Sequence, residues 1–437
     1  MPRKAEKPGK VHVLRVGRRG TAPAELTPLL QQLMLPMIAG MAATKRTFQN
    51  LVMEFGLASM QALFGAHAEA LAGPKHKRQQ GRTMNHWGSA PSQFPFAGRK
   101  VTVSRPRVRT RDGAEVAIPF IDELRGSDPL PERVMEQILL GISTRGYAQS
   151  LDPLPDVVPV RGTSKSAASR HVVAETTKRM NDFTARRLED LDIVGLMLDG
   201  IHVADHAVIV ALGVDAQANK HPLGLWLGST ENKAVCTALL QDILSRGLRV
   251  TGTLLCVIDG GKGLRAALND VFGDAALVQR CQNHKRRNVC DHLPDKRRAY
   301  ANRVMTDAYR SRSFATAKKQ LLALVSWLEN NGEDDAAASL REGLDETLTV
   351  LKLNLPPALT RSLATTNAIE NLMGSVRHVT RNIKRWRNKN AMVKRWVALS
   401  ISTAQRKFRR LKGHRDIHLL VAALRKNVAV DSGTQAA

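Results

Sequence analysis

Five short apolar runs crowd into residues 193–281, and they limit what the chain can fold into more narrowly than anything else in it. They are IVGLMLD (193–199), HAVIVALGVD (206–215), HPLGLWLGST (221–230), TLLCVID (253–259) and ALVQRC (276–281). Each is short and is broken by Gly or polar residues, so each reads as a strand. Helical patterns at ENKAVCTALLQDILSRGL (231–248) and KGLRAALNDVF (262–272) separate the last three. The order β-β-β-α-β-α-β predicts a mixed sheet with helices packed on it.

Three of these runs finish on a carboxylate, and in two of them a Gly follows. Asp199 and Asp259 each follow an apolar run and precede Gly, which puts both at strand ends, where ligands bind in open α/β sheets. Asp-Gly is also ordinary turn chemistry, and for either residue alone that reading wins. Two at equivalent strand ends favour a site. Carboxylates held close repel each other unless a cation lies between them, and hard oxygen ligands suit Mg²⁺.

The third acid is Glu370, in TTNAIENLMGSVRHVTRNIKRW (365–386). Ile369, Leu372, Met373 and Val376 fall at helical spacing, predicting an amphipathic helix over 367–385. Asn367 and Glu370 have capping-box spacing, so Glu370 has two readings, helix cap or metal ligand. Its neighbourhood favours the ligand. From Asn371 to Arg415 there is no Asp or Glu, against fourteen Lys and Arg. A solvated face normally carries both signs; a purely cationic one beside a carboxylate reads as a phosphate track. The helix would align Glu370 with Arg377, Arg381 and Lys384, with Arg385 beside them.

The whole chain agrees with that track. Its 437 residues carry a formal net charge of +27, which calls for a polyanionic partner, and nucleic acid leads. The longest apolar run, LMLPMIAGMAA (33–43), is too short to span a bilayer and contains Pro36, so no membrane partner is expected. No signal-like apolar core follows the N-terminus, which predicts a cytoplasmic protein. Cys236, Cys256, Cys281 and Cys290 have no disulfide-scaffold spacing.

Residues 25–72 carry apolar residues at helical spacing, as a bundle segment or an oligomer contact. Residues 74–95 read as a linker, and 99–118 as a hairpin turning at Asp112-Gly113. Helical patterns follow at 131–151 and 162–180, the latter capped by Ser164. This resembles a helix-turn-helix, with Lys165, Ser169 and Arg170 placed for DNA contact early in the last helix. In RCQNHKRRNVCDH, Cys281, His284, Cys290 and His292 suggest zinc, but the last pair is too closely spaced for a usual zinc pair. Cys281 and His284 keep two readings: support of an active site, or a packing Cys and a capping His. Lys285, Arg286 and Arg287 read as phosphate contacts. Trp226, Trp386 and Trp396 read as core.

The segments LMLDGIHV, CVIDGGKGL, VQRCQNHKRRNV and TTNAIEN, in that order, with GISTRGYAQSL and GTSKSAASR before them, resemble a bacterial insertion-sequence transposase of the Mutator-like superfamily. The resemblance runs from about residue 99 to 410. It implies an α/β catalytic core with an RNase H-like mixed sheet, an all-helical insertion before the last acidic residue, and a mainly helical N-terminal DNA-binding region. Carried over, the DDE triad is Asp199, Asp259 and Glu370, and Cys281 and His284 match the family's Cys-x-x-His signature. The implied division is 1–98 (helical segment and linker), 99–180 (DNA binding), 190–295 (catalytic core), 296–360 (helical insertion), 361–415 (end of the core with basic helices) and 416–437 (tail). The implied activity is strand cleavage and strand transfer at element ends, with two Mg²⁺ ions that Mn²⁺ can replace. The implied partners are element-end and target DNA, bound by a homodimer associated with the bacterial nucleoid. The alternative is a non-catalytic DNA-binding regulator or architectural protein on the same fold.

Overall fold

The computed structural model describes residues 48–431 except 78–79, 127, 153, 155–157, 231, 384, 387 and 388. The chain divides into two compact units, residues 1–134 with 142–168, and residues 135–141 with 169–437.

In the first unit, helix α1 (Phe48–Ala72) precedes strands β1 (Met84–Phe96), β2 (Arg99–Thr110) and β3 (Glu115–Val116). Helix α2 (Pro119–Gly126), helix α3 (Leu130–Leu139), which the division at residues 134/135 cuts, and the short strand β4 (Val160–Arg161) follow. β1 and β2 pair antiparallel from Met84↔Thr110 to Phe96↔Arg99. Ala97 and Gly98 turn the hairpin, both at positive φ (47° and 79°), as a two-residue hairpin turn of the primed type requires. A Cβ on Gly98 would stand 2.7 Å from Leu151 Cδ2, so the turn tolerates no side chain there. Phe64 of α1 meets Phe94 of β1 with ring centroids 4.8 Å apart, and Val101, Val103, Ile118 and Ile121 complete this core.

Two expectations need correction here. Residues 84–96 are a strand, not a linker. Its Pro91 and Pro95 are accommodated because β1 is an edge strand, where a missing N–H breaks no ladder. The long helix α4 (Lys165–Ala185) is capped as foreseen, with Ala167 N donating to Ser164 Oγ. However, residues 140–164, which include a 3₁₀ turn and β4, separate it from α3. It is therefore not the second helix of a tight helix-turn-helix with α3. The first part of the apolar segment 25–72, up to residue 47, lies outside the described residues.

The second unit is built on β5 (Ile193–Val203), β6 (His206–Asp215), β7 (Lys220–Gly228), β8 (Leu254–Ile258) and β9 (Ala276–Arg280), the five strands the apolar runs predict. Helix α5 (Lys233–Ser245) joins β7 to β8, and α6 (Lys262–Phe272) joins β8 to β9. The sheet order is β7-β6-β5-β8-β9. β5, β8 and β9 run parallel, and β6 is antiparallel to both its neighbours. Helices cover both faces. Leu196, Leu198, Cys256 and Ile258 pack with Leu239, Ile243 and Leu264 on one side. On the other side Met197, Ile201 and Val257 pack with Ile369, Leu372, Met373 and Val376. A strand buried on two faces has no polar alternation, which is why these runs read as continuous apolar blocks.

After β9 come α7 (Gln282–Asp291), α8 (Asp295–Arg310), α9 (Phe314–Asn330), α10 (Asp334–Arg341), the one-turn α11 (Thr349–Lys352) and α12 (Pro357–Leu363). Ala301, Met305, Leu321, Leu324, Val325 and Leu340 give α8–α10 a core of their own. Gln279 ties this block to the sheet. Its buried amide donates to Thr347 O at 2.8 Å, and its Oε1 accepts from Val350 N at 2.9 Å. Helices α13 (Asn367–Thr380), α14 (Lys389–Gln405) and α15 (Ile417–Asp431) close the unit.

Candidate active site

Register brings the two aspartates together. β5 and β8 are parallel neighbours with Gly195↔Leu255, Leu196↔Cys256 and Met197↔Val257 paired. Asp199 and Asp259 each lie two residues past the last pair, at the same level of adjacent strands that stand about 4.8 Å apart. Asp199 shares parity with Met197 and so faces the side of the sheet that α13 covers, while Asp259 directly follows the end of β8, and its charge acts on both Asp199 and His284. β5 does not stop at Asp199 as the apolar run suggests. It continues to Val203, with Asp199 opposite Val210 in β6, which fixes the aspartate within the strand.

Glu370 comes to this place on α13, whose Ile369, Leu372, Met373 and Val376 anchor it to the same face. Its carboxylate reaches back to the N-cap residue Thr366, but to its side chain and, among the described residues, to no backbone N–H of the helix start. Thr366 Oγ1 donates to Glu370 Oε1 at 2.6 Å, so the carboxylate is held by a side chain one turn earlier. Thr366 is fully buried. Its backbone N–H and hydroxyl also lie 3.4 and 3.3 Å from Cys281 Sγ, and its hydroxyl lies 3.4 Å from His284 Nδ1. His284 Nδ1 stands 3.8 Å from Glu370 Oε1. Cys281 is fixed in turn by its N–H donating to Ile258 O at 2.7 Å, one residue before Asp259. Gln282 N donates to Ala364 O, which joins the start of α7 to the segment leading into α13.

The electrostatics match this convergence. Burial, reinforced by the charge of Asp259 and more weakly by that of Glu370, raises Asp199 from 3.8 to about 6. The hydrogen bond with Cys281 raises His284, which the charges of Glu370 and Asp259 raise further against its burial. Burial pushes the Cys281 thiol up, but hydrogen bonds from His284 and Thr366 outweigh it, and the net shift is downward. The charges of Asp259 and Glu370 thus both act on Asp199 and on the half-buried imidazole of His284. Among the described residues, Cys281, His284 and Glu370 bring ligand atoms within 4.8 Å of one another; Cys290 and His292 are not in that group, so the four-residue zinc set is not assembled.

Residues 31–410 match the family described as "Transposase, Mutator family". The chain belongs to the Mutator family of transposases. It is similar to the transposase for insertion sequence element ISRM5 of Rhizobium meliloti, 27% identical over 302 residues, 64% of this chain and 69% of that one. It is also similar to the transposase for IS256 in transposon Tn4001 of Staphylococcus aureus, 23% identical over 340 residues, 76% of this chain and 84% of that one. A probable insertion-sequence transposase of Corynebacterium diphtheriae is 27% identical over 245 residues, 56% of this chain and 69% of that one.

The residues foreseen as DNA contacts in this transposase divide. Lys165, Ser169, Arg170, Arg287, Arg377, Arg381 and Arg385 are exposed. Lys285 is not: it is 4% exposed, and its Nζ donates to Ser339 O and Glu342 O at 2.6 and 2.7 Å. It ties α7 to the end of α10 and does not reach phosphate. Arg286 is engaged by Thr306 Oγ1 and Asn283 Oδ1. The row on α13 is shorter than the spacing predicts, because the helix ends at Thr380 with Arg381 as its C-cap. Glu370 and Arg377 share the helix, and Lys384 lies outside the described residues. Trp396 is buried in α14 and Trp386 packs against the core, whereas Trp226 is half-buried beside the α5 side of the sheet. Sequence reasoning missed Thr366. Its signal was the second Thr of TTNAIEN, one helical turn before the glutamate, where a hydroxyl can reach a side chain at i+4. No helix among the described residues is long and apolar enough to cross a membrane.

Proposed function

We propose that this chain binds the ends of an insertion sequence as a homodimer and performs strand cleavage followed by strand transfer, with Asp199, Asp259 and Glu370 as its DDE triad. The observation that carries the reading is that Asp199, within β5, and Asp259, one residue past β8, each follow the Met197↔Val257 pair of these parallel neighbours by two residues, with the helix that bears Glu370 packed against Met197 and Val257. The strand order β7-β6-β5-β8-β9, with the antiparallel half first in sequence, supports an RNase H-like core.

The donor set suits divalent metal in kind: three carboxylates offer hard oxygens, and Asp199, raised chiefly by its burial and next by the charge of Asp259, gains from a cation beside it. Asp199, Asp259 and Glu370 would hold two Mg²⁺ ions, or Mn²⁺ in their place, which when bound supply a Lewis acid for the phosphoryl oxygens and favour an ionised nucleophile. The chain's own residues do the rest. The sheet fixes the separation of the two aspartates. Thr366 orients Glu370, and the Cys281–His284 pair holds Thr366. The chemistry is two in-line displacements at phosphorus. Water opens one strand and leaves a 3′-hydroxyl, which then attacks a phosphodiester of the target and expels its 3′ oxygen. No covalent protein intermediate is formed, so no serine or tyrosine nucleophile is needed. Lys165, Ser169, Arg170, Arg287, Arg377, Arg381 and Arg385 are positioned by their exposure to hold phosphate.

The test is to incubate the protein with Mg²⁺ and labelled element-end DNA and to look for nicked and joined products. Asp199→Asn, Asp259→Asn and Glu370→Gln should each abolish cleavage and leave DNA binding intact. Near wild-type cleavage by any one removes that residue from the triad. Binding with no products from the wild-type chain would favour the non-catalytic regulator.

A further inference from the structure

A cavity of about 730 Å³ lies between the first turns of α13 and the segment after α14. Six cations line it: Lys220, Arg361, Lys407, Arg409, Arg410 and Lys412. Among the described residues, no acidic one does. Among the described residues these cations have only uncharged partners, Arg410 donating to Asn219 Oδ1 and Lys220 lying 5.0 Å from the ring centroid of Phe408. Leu372, Phe408 and Leu411 give the cavity an apolar lining.

Thr365 is a second and independent observation. It lines the same cavity, is only 8% exposed, and its hydroxyl is buried with no hydrogen-bond partner. A buried hydroxyl left unpaired is costly, and a ligand atom would satisfy it. The cavity also adjoins the candidate active site through the chain itself. Thr366, the next residue, donates to Glu370, and Asn367, another lining residue, accepts from Asn283 of α7.

We propose that this basin takes one nucleotide of a single-stranded DNA segment, its phosphates on the rim cations, its base against the apolar lining, and an acceptor atom on the Thr365 hydroxyl. Charge selects a polyanion. Volume selects something of small-molecule size, since such sites span about 300–1,000 Å³. An intact duplex keeps its bases stacked inside and presents only backbone, so it cannot fill an apolar recess; an unpaired nucleotide can, with an aromatic ring as its platform. The inference rests on the transposase reading and adds to it a place for a strand freed from its partner.

Binding is read by fluorescence anisotropy of the full-length protein in EDTA, where nothing is cut, with one labelled oligonucleotide used single-stranded and as a blunt duplex. The variants are Arg361→Ala/Arg409→Ala/Lys412→Ala, all exposed rim residues, and Thr365→Val, with circular-dichroism melting as the check on folding. The triple variant should lose at least tenfold in single-strand affinity. Its log–log salt slope should flatten by about 2, from three charges at about 0.7 each. Its duplex affinity should stay within about twofold. Thr365→Val should lose roughly three- to tenfold on the single strand with an unchanged or higher Tm. A triple variant equally weakened on both DNAs overturns the proposal, as does Thr365→Val that gains stability and keeps full single-strand affinity. Absence of cleavage by the wild-type chain in Mg²⁺ would overturn the transposase reading alone, because this assay needs no cleavage.

Discussion

The hydroxyl of Thr366 and the carboxylate of Glu370 meet at 2.6 Å, and the same hydroxyl touches Cys281 Sγ and His284 Nδ1. One buried side chain therefore sets the rotamer of the acid that the DDE reading requires. Groups of this kind, one layer behind metal ligands, typically cost about 10–100-fold when removed. Thr366→Val should lower cleavage by that order, and Thr366→Ser should restore most of it. The check is single-turnover cleavage across a Mg²⁺ titration. Loss through positioning raises the Mg²⁺ concentration needed for half-maximal rate, whereas simple unfolding would show as a lowered Tm with no such shift.

Asp199 titrates near 6 when folded, against 3.8 unperturbed. A raised folded pKa adds stability that is whole below the unfolded pKa and fades as pH climbs through the folded one. In metal-free protein this group should therefore cost stability between about pH 4 and 6, up to about 3 kcal/mol. Melting in EDTA across that window should fall with pH, and Asp199→Asn should flatten the fall. A wild-type Tm that rises steadily over the window, unaltered by the substitution, would contradict the coupling.

Lys285 holds the carbonyls of Ser339 and Glu342 from a buried position. Lys285→Met keeps the stem and removes the donors. It should destabilise by about 1–3 kcal/mol, because two partly buried carbonyls lose their partner. DNA affinity and its salt slope should not change, and a drop of one unit in that slope would return Lys285 to the phosphate contacts.

Arg377 and Arg381 are exposed beyond Glu370 and should position a strand, not react with it. Arg377→Ala/Arg381→Ala should weaken DNA binding and lower cleavage, and saturating DNA should partly restore the rate. Saturating DNA should not rescue Glu370→Gln. A double variant that binds normally yet stays inactive at saturation would place the arginines in the chemistry.

The core sheet was legible because its strands are buried on both faces and their apolar runs are unbroken. Asp199 and Asp259 were legible because they interrupt those runs at matching points. β1 was not, since MNHWGSAPSQFPF has the Gly, Ser and Pro of a loop and only its pairing with β2 makes it a strand. The length of α13 was overread from charge spacing, although its apolar face ends at Val376 and the helix at Thr380. The role of Lys285 was hidden for a different reason. A sequence shows a cation but not two distant carbonyls waiting for it.

The clamp at Gln279 has a consequence in time. The two aspartates are both present once β8 pairs with β5, by residue 259. Glu370 arrives only after the whole helical block has folded back and Thr347 and Val350 have closed on Gln279. Contacts so distant in sequence form late. On the DDE reading, a nascent chain carries two acids and the cations Lys165, Arg170 and Arg287 before it carries a complete triad, whereas the cationic stretch 371–415 follows Glu370. A chain that ends before residue 370 therefore lacks both the third acid and that cationic stretch.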